Sequence, residues 1–226
     1  MIARRRLTAT TVLVLINIAA FIWETLTGGS TDPVSLVRHG ALYGPLVDRG
    51  EWWRIITAAF LHGGLLHITF NMIALYQVGT FLEMLVGAPS MLAIYFVSMI
   101  GSGLSVYKFT YTDVTVGASG AIFGIFGALV AIGLSLGPRG RSLVAQTLPI
   151  IGINLAIGFS IPNISNAGHL GGLASGFAAG FLLLAFRRAT TPAPIPVEHE
   201  EAEAIDGEYE QPEPRAAHDA QETPQP

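Results

Sequence analysis

The sequence predicts an all-α, polytopic membrane protein built as a bundle of six transmembrane helices. Three observations lead there. Only 12% of the 226 residues are charged, about half the roughly 25% of soluble domains. Apolar residues make up 51% of the chain, and they fall into six runs of about the 20 residues a helix needs to cross a hydrocarbon core. The charge is also divided: residues 1–188 carry 11 basic and six acidic groups, net +5, whereas residues 189–226 carry ten acidic groups and one Arg, net −9. This composition argues against an ordinary soluble enzyme, a nucleic-acid binder and, with no Cys, a disulfide scaffold.

The elements follow in order. Helix one runs from about Thr8 to Leu26 behind Arg4, Arg5 and Arg6. A signal peptide opens the same way, but no clear small-x-small cleavage site follows, so the segment is taken as an anchor. A long first loop spans about 27–64, with Pro33, Pro45 and the cluster Trp52-Trp53-Arg54. The aromatic pair suits an interfacial belt better than a disordered linker. Helix two runs from Leu65 to Val86, three from Ala88 to Tyr107, four from Thr115 to Leu136, five from Ser142 to Ile161 and six from Ala167 to Phe186. Short breaks separate helices two to six: Gly87-Ala88-Pro89, Lys108 to Asp113, Gly137 to Arg141 and Pro162-Asn163. Residues 1–188 thus form one six-helix domain, and 189–226 a Pro-rich acidic tail expected to be disordered.

Lys and Arg set the orientation. With the N-terminus cytoplasmic, Arg4–Arg6, Arg139, Arg141, Arg187, Arg188 and Arg215 lie inside and Arg38, Arg49, Arg54 and Lys108 outside, eight against four. The expected protein sits in the cell membrane with both termini cytoplasmic. Helices two, four and six then all begin at the outer face.

Polar groups inside spans are costly and are functional candidates by default. Helix two carries His67, Asn71, Gln77 and Glu83, with His62 just before it; helix four carries Ser119 and helix six His169. At 1.5 Å rise per residue, His67, Ser119 and His169 all fall within roughly 10 Å of the outer boundary. Asn71 follows His67 at i+4, on the same helical face. Helix six has Gly168, Gly172, Gly176 and Gly180, and helix four Gly120, Gly124 and Ala128. Small residues four apart let membrane helices approach closely; packing these two stripes together brings Ser119 towards His169. Glu83, near the inner end of helix two, is expected to snorkel to the interface. Gln146 and Asn154 on helix five are expected to hydrogen-bond across helices. Asp113 is read as solvated loop surface.

The string Gly117-Ala118-Ser119-Gly120-Ala121-Ile122-Phe123-Gly124, with His67-x-x-x-Asn71 upstream and Gly168-His169-x-Gly171-Gly172 downstream, resembles the rhomboid intramembrane serine proteases. The likeness runs from about Gly50 to Arg187 and takes in Trp53-Arg54, His62 and Glu83. It implies a six-helix rhomboid bundle with Ser119 as nucleophile and His169 as general base, a dyad with no acid. It implies His67 and Asn71 as oxyanion donors beside the Ser119 N–H, and an aromatic ring at Phe123 stacked on the histidine. This position is Tyr in some members, and Phe keeps the ring without the hydroxyl. Arg54, His62, Glu83, Gly117 and Gly120 fall on supporting positions. The family uses neither cofactor nor metal, acts on transmembrane proteins within the bilayer, opens its site to the outer face and has a gate near helix five. Two alternatives carry different expectations. A pseudoprotease relative lacks the Ser or the His, both present here. A small transporter distributes its polar residues through the membrane depth, whereas these crowd one third of it.

Overall fold

The structure, a computed structural model, describes residues 7–161 and 164–190. Its helices are α1 (Ala9–Thr27), α2 (Pro33–His39), α3 (Gly44–Val47), α4 (Arg54–Thr57), α5 (Leu65–Ala74), α6 (Thr80–Val86), α7 (Ala88–Phe109), α8 (Ser119–Ser135), α9 (Arg141–Ser160) and α10 (Asn166–Thr190). A π turn over Leu75–Gly79 joins α5 to α6 as one rod. Among the described residues, five stretches are long and apolar enough to cross a membrane: Ala9–Thr27, Leu65–Val86, Ala88–Phe109, Gly137–Ser160 and Asn166–Arg187. The remaining long helix, α8, is apolar but has 17 residues, about 26 Å at the helical rise. Arg4–Arg6, Pro162-Asn163, the acidic tail from 191 on with its Arg215, and the Arg188 side chain lie outside the described residues.

The helix expected from Thr115 starts four residues later, at Ser119. Two constraints hold the preceding segment extended. Leu42 and Thr115 exchange both backbone hydrogen bonds, each 3.0 Å, and Gly117 N–H donates to Ala58 O at 2.8 Å. Gly117 also has φ +123°, which a helix cannot use and an L side chain rarely adopts. Ser119 therefore stands at the very start of α8.

From Gly120 to Gly133 every residue of α8 except Val130 is buried. A helix apolar all round belongs at the centre of its bundle. α7 and α10 flank it so closely that glycine is required. A Cβ on Gly172 would lie 1.9 Å from Gly120 O, and one on Gly176 2.0 Å from Gly124 O. Ser98 and Ser102 of α7 fill the other side of Gly124 and Gly120. Ser98 Oγ returns its proton to Ile94 O at 2.6 Å, so the small residues leave no polar debt. Leu75, Leu82, Met91, Ile94, Tyr95 and Ile125 extend the core away from the seam.

The first loop is ordered: it folds into α2, α3, α4 and a 3₁₀ turn over Ala58–Phe60, and one buried cation of α4 ties α2 and the segments on either side of α3 together. Arg54 is 5% exposed; its Nη1 donates to Val37 O at 2.7 Å and Ala41 O at 2.9 Å, and its Nε to Glu51 Oε2 at 2.7 Å. Trp52 and Trp53 are exposed beside it, as an interfacial belt requires. Glu83 does not snorkel. It accepts from the N–H groups of Ala9 and Thr10 at 2.9 and 2.8 Å and from the Thr10 hydroxyl at 2.6 Å, capping the orphan donors of α1 from a neighbouring helix. Gln146 and Asn154 do not bond across helices either: Gln146 Nε2 donates to Ser142 Oγ and Asn154 Nδ2 to Ile150 O. Their helix, α9, exposes Leu148, Ile150, Ile153 and Ile157, and both amides are exposed as well, so each turns to a group on its own helix. Asp113 is exposed, as expected.

The seam gives a graded prediction. Gly172→Ala should force α8 and α10 apart and destabilise the protein by about 1–3 kcal/mol. Gly152→Ala, where a Cβ meets nothing within 4 Å, should be neutral or stabilising by up to about 1 kcal/mol. Thermal unfolding in detergent separates the two.

A second prediction concerns Asp48. It accepts from the phenols of Tyr107 and Tyr111, tying the first loop to the end of α7. These hydrogen bonds hold its carboxyl below the usual carboxylate range, and the same contact pushes Tyr111 up to about 12. A depressed carboxyl stabilises above its unfolded pKa and ceases to as pH falls through the folded one. Wild type should therefore melt above Asp48→Asn from pH 5 to 7, and the gap should close below about pH 4.

Candidate active site

Three helix starts meet at one level. α8 opens at Ser119 with no side-chain cap, since Ala118 precedes it. α10 is capped by Ser165, whose Oγ accepts from Gly168 N–H at 3.2 Å while its carbonyl accepts from His169 N–H. That cap sets His169 in the first turn. α5 follows Gly64 at φ +103° and carries His67 in its first turn, with Asn71 one turn on.

The seam brings Ser119 Oγ to 3.0 Å from His169 Nε2. Phe123, one turn along α8, lies flat on the imidazole, with ring centroids 4.1 Å apart and planes 10° from parallel. His169 is 8% exposed, and its Nδ1 has no hydrogen-bond partner among the described residues. The ring is thus oriented by stacking and by the Ser119 contact, with no carboxylate behind it.

His67 faces the pair from α5. A Cβ on Gly117 would fall 2.8 Å from both Cε1 and Nε2 of His67 and 3.9 Å from Ser119 Oγ. Glycine there lets the imidazole lie against the backbone two residues before Ser119. The other nitrogen, Nδ1, accepts from Gly63 N–H at 3.1 Å. Asn71 spends one amide hydrogen on His67 O at 2.9 Å. Its second remains for the cavity of about 220 Å³ that it lines with Phe70, Gln77, Ser119, Phe123, Asn154 and His169. The cavity lies between α5 and α9, reaching Ile150 and Asn154 on the latter.

The other residues singled out in sequence lie around this centre. Gly120 takes up the closest approach of α10. His62 is fully buried, and its ring meets that of His67 edge-on at 5.2 Å. Burial, with His67 beside it, pushes the His62 imidazole down to about 3, so the ring is neutral. Arg54 holds the loop, and Glu83 caps α1 away from the cavity. Sequence reasoning missed Glu24, a carboxylate with no exposure in the last turns of α1 that accepts from His62 N–H at 3.2 and 3.3 Å. The available signal was a charge inside an apolar span. Among the described residues no group of three His, Asp or Glu side chains is placed to hold a metal ion.

Chemically, a hydroxyl within hydrogen-bond reach of an imidazole is the arrangement by which a base activates an alcohol. The comparisons with known proteins are consistent in kind. A family model described as the rhomboid domain matches residues 49–186. Rhomboid protease GluP of Bacillus subtilis (strain 168) is 40% identical over 177 residues, covering 78% of this chain and 35% of that protein. RHOMBOID-like protein 5 of Arabidopsis thaliana is 38% identical over 169 residues, covering 72% and 54%. RHOMBOID-like protein 1 of the same plant is 37% identical over 155 residues, covering 67% and 40%. The chain therefore spans between about a third and about half of these relatives.

Proposed function

The chain belongs to the rhomboid family, and on that premise we propose that it is an intramembrane serine endopeptidase that hydrolyses peptide bonds in or near transmembrane segments of other membrane proteins. The observation that carries the reading is the 3.0 Å contact of Ser119 Oγ with His169 Nε2 at the end of a cavity that Asn71 also lines.

In this reading Ser119 Oγ attacks the scissile carbonyl carbon while its proton passes to His169 Nε2. The oxygen that becomes anionic is held by the Ser119 N–H, His67 Nε2–H and the spare Asn71 amide hydrogen, with the positive end of α8 behind them. Collapse breaks the C–N bond, and His169 returns the proton to the leaving amine. Water then enters and adds to the acyl carbon as it loses a proton to His169; collapse breaks the acyl–Oγ bond, and His169 returns that proton to Ser119 Oγ. Phe123 keeps the imidazole plane aligned through both halves.

The same reading takes α8 as a sixth span, with both termini cytoplasmic and the site opening outward. Its short length and start below the first loop set the reacting atoms beneath the headgroups. Substrate approaches between α5 and α9. The cavity extends that way, α9 carries Pro149 within it, and Gly152 faces open space. Such a helix yields more readily than the α7–α8–α10 core. An entering helix must unwind to expose its carbonyl, so a small residue before the cut and helix-weakening residues after it are favoured.

The test is cleavage of a single-span substrate in vesicles. Ser119→Ala should lower the rate by at least about 10³-fold and Asn71→Ala by about 10²-fold in kcat, both with wild-type melting. Fragments released by Ser119→Ala at the wild-type rate would overturn the proposal.

A further inference from the structure

We propose that Glu24 is a positioning residue for the oxyanion site: through the backbone of residues 62–64 it sets the orientation and tautomer of His67. This rests on the protease reading for its consequence, though not for its geometry.

All four residues between the 3₁₀ turn and α5 use their N–H groups, Leu61 donating back to Ala58 O at 3.3 Å. His62 N–H is shared between the two oxygens of Glu24 at 3.2 and 3.3 Å. Gly63 N–H donates to His67 Nδ1 at 3.1 Å. Gly64 N–H donates to His62 O at 2.8 Å, an i→i+2 closure that makes the segment a tight turn. The turn has one external anchor, Glu24, and one output, His67. A nitrogen that accepts an N–H must present its lone pair, so a neutral His67 carries its proton on Nε2. Nε2, with Cε1, forms the ring edge that lies over Gly117, two residues before Ser119. The donor thus faces the reacting centre because Gly63 occupies the opposite nitrogen, and Gly63 is aimed there because Glu24 holds its neighbour.

The chemistry of Glu24 argues for this use. It comes from α1, a different element, 38 residues before His62 in sequence. It has no exposure, and an ionisable group at that depth is costly unless it is bonded. The fully buried His62 ring packs edge-on against that of His67 at 5.2 Å, a second contact between the anchored turn and the donor.

The experiment compares Glu24→Met and Glu24→Gln, two side chains of similar length that differ in having an acceptor. Both are read against wild type, His67→Ala and the Glu24→Met/His67→Ala double variant, on a single-span substrate in vesicles. Glu24→Met should lower kcat by on the order of 10- to 100-fold with KM unchanged. Glu24→Gln should stay within about threefold of wild type, because its Oε1 still accepts from His62. The double variant should be no slower than His67→Ala, since the two losses act through one ring. In ¹⁵N-histidine spectra, His67 of wild type and Glu24→Gln should show protonated Nε2 and bare Nδ1, and Glu24→Met a mixture.

Full kcat in Glu24→Met, a loss additive with His67→Ala, or protonated Nδ1 in wild type would overturn the inference. If Glu24→Met does not fold, the wild-type tautomer and the Glu24→Gln rate still decide it. A wild-type protein that shows the stated tautomers yet cleaves nothing would overturn the protease reading alone.

Discussion

Close approach of two helix backbones governs this molecule. Gly172 and Gly176 of α10 meet the backbone of Gly120 and Gly124 of α8 so nearly that no Cβ fits on either α10 glycine, while Ser102 and Ser98 of α7 close the space beside the α8 pair. In lipid there is little hydrophobic drive between helices, so association rests on packing of this kind. Ser119 and His169 stand at the mouth of that seam, one residue before Gly120 and three before Gly172. Their 3.0 Å separation is therefore a property of the seam more than of either side chain. A pair held by rigid elements needs little reorganisation to react, which is where a site without a supporting carboxylate gains its precision.

A division of labour follows. The core of α7, α8 and α10 is tight and carries Ser119 and His169. α9 is loosely held and forms the far wall of the cavity. The first loop, α1 and α5 provide the third component, donors whose placement depends on buried polar contacts: Arg54 on the carbonyls of Val37 and Ala41, Glu83 on the start of α1, Glu24 on His62. Each charge lies where apolar packing alone gives no directional hold, and each satisfies backbone groups that would otherwise be orphaned.

Much of this was legible in the sequence, for identifiable reasons. Apolar runs of span length and the four-residue Gly stripes are local patterns with a fixed helical period, so the bundle and the meeting of Ser119 with His169 follow from spacing. The start of α8 was misjudged because the tie between Thr115 and Leu42 joins residues 73 apart in sequence. The short helices of the first loop were not foreseen because they depend on Arg54, a tertiary anchor and not a propensity. The depth of Glu83 alone suggests snorkelling, yet the start of α1 lies beside it. The polarity of Gln146 and Asn154 suggests cross-helix bonds but says nothing of which side of α9 faces its neighbours, and both amides bond within their own helix. Glu24 went unread because its partner is a backbone N–H, which no residue type announces.

The reactivity of Ser119 itself is the most direct measure of the central pairing. Intact protein in detergent, exposed to a fluorophosphonate that esterifies activated serine, should be labelled at Ser119, as located by peptide mass spectrometry. Labelling should fall to background in a folded His169→Ala variant. Undiminished labelling of Ser119 without that imidazole would show that His169 is not the base, and the seam would lose the role assigned to it.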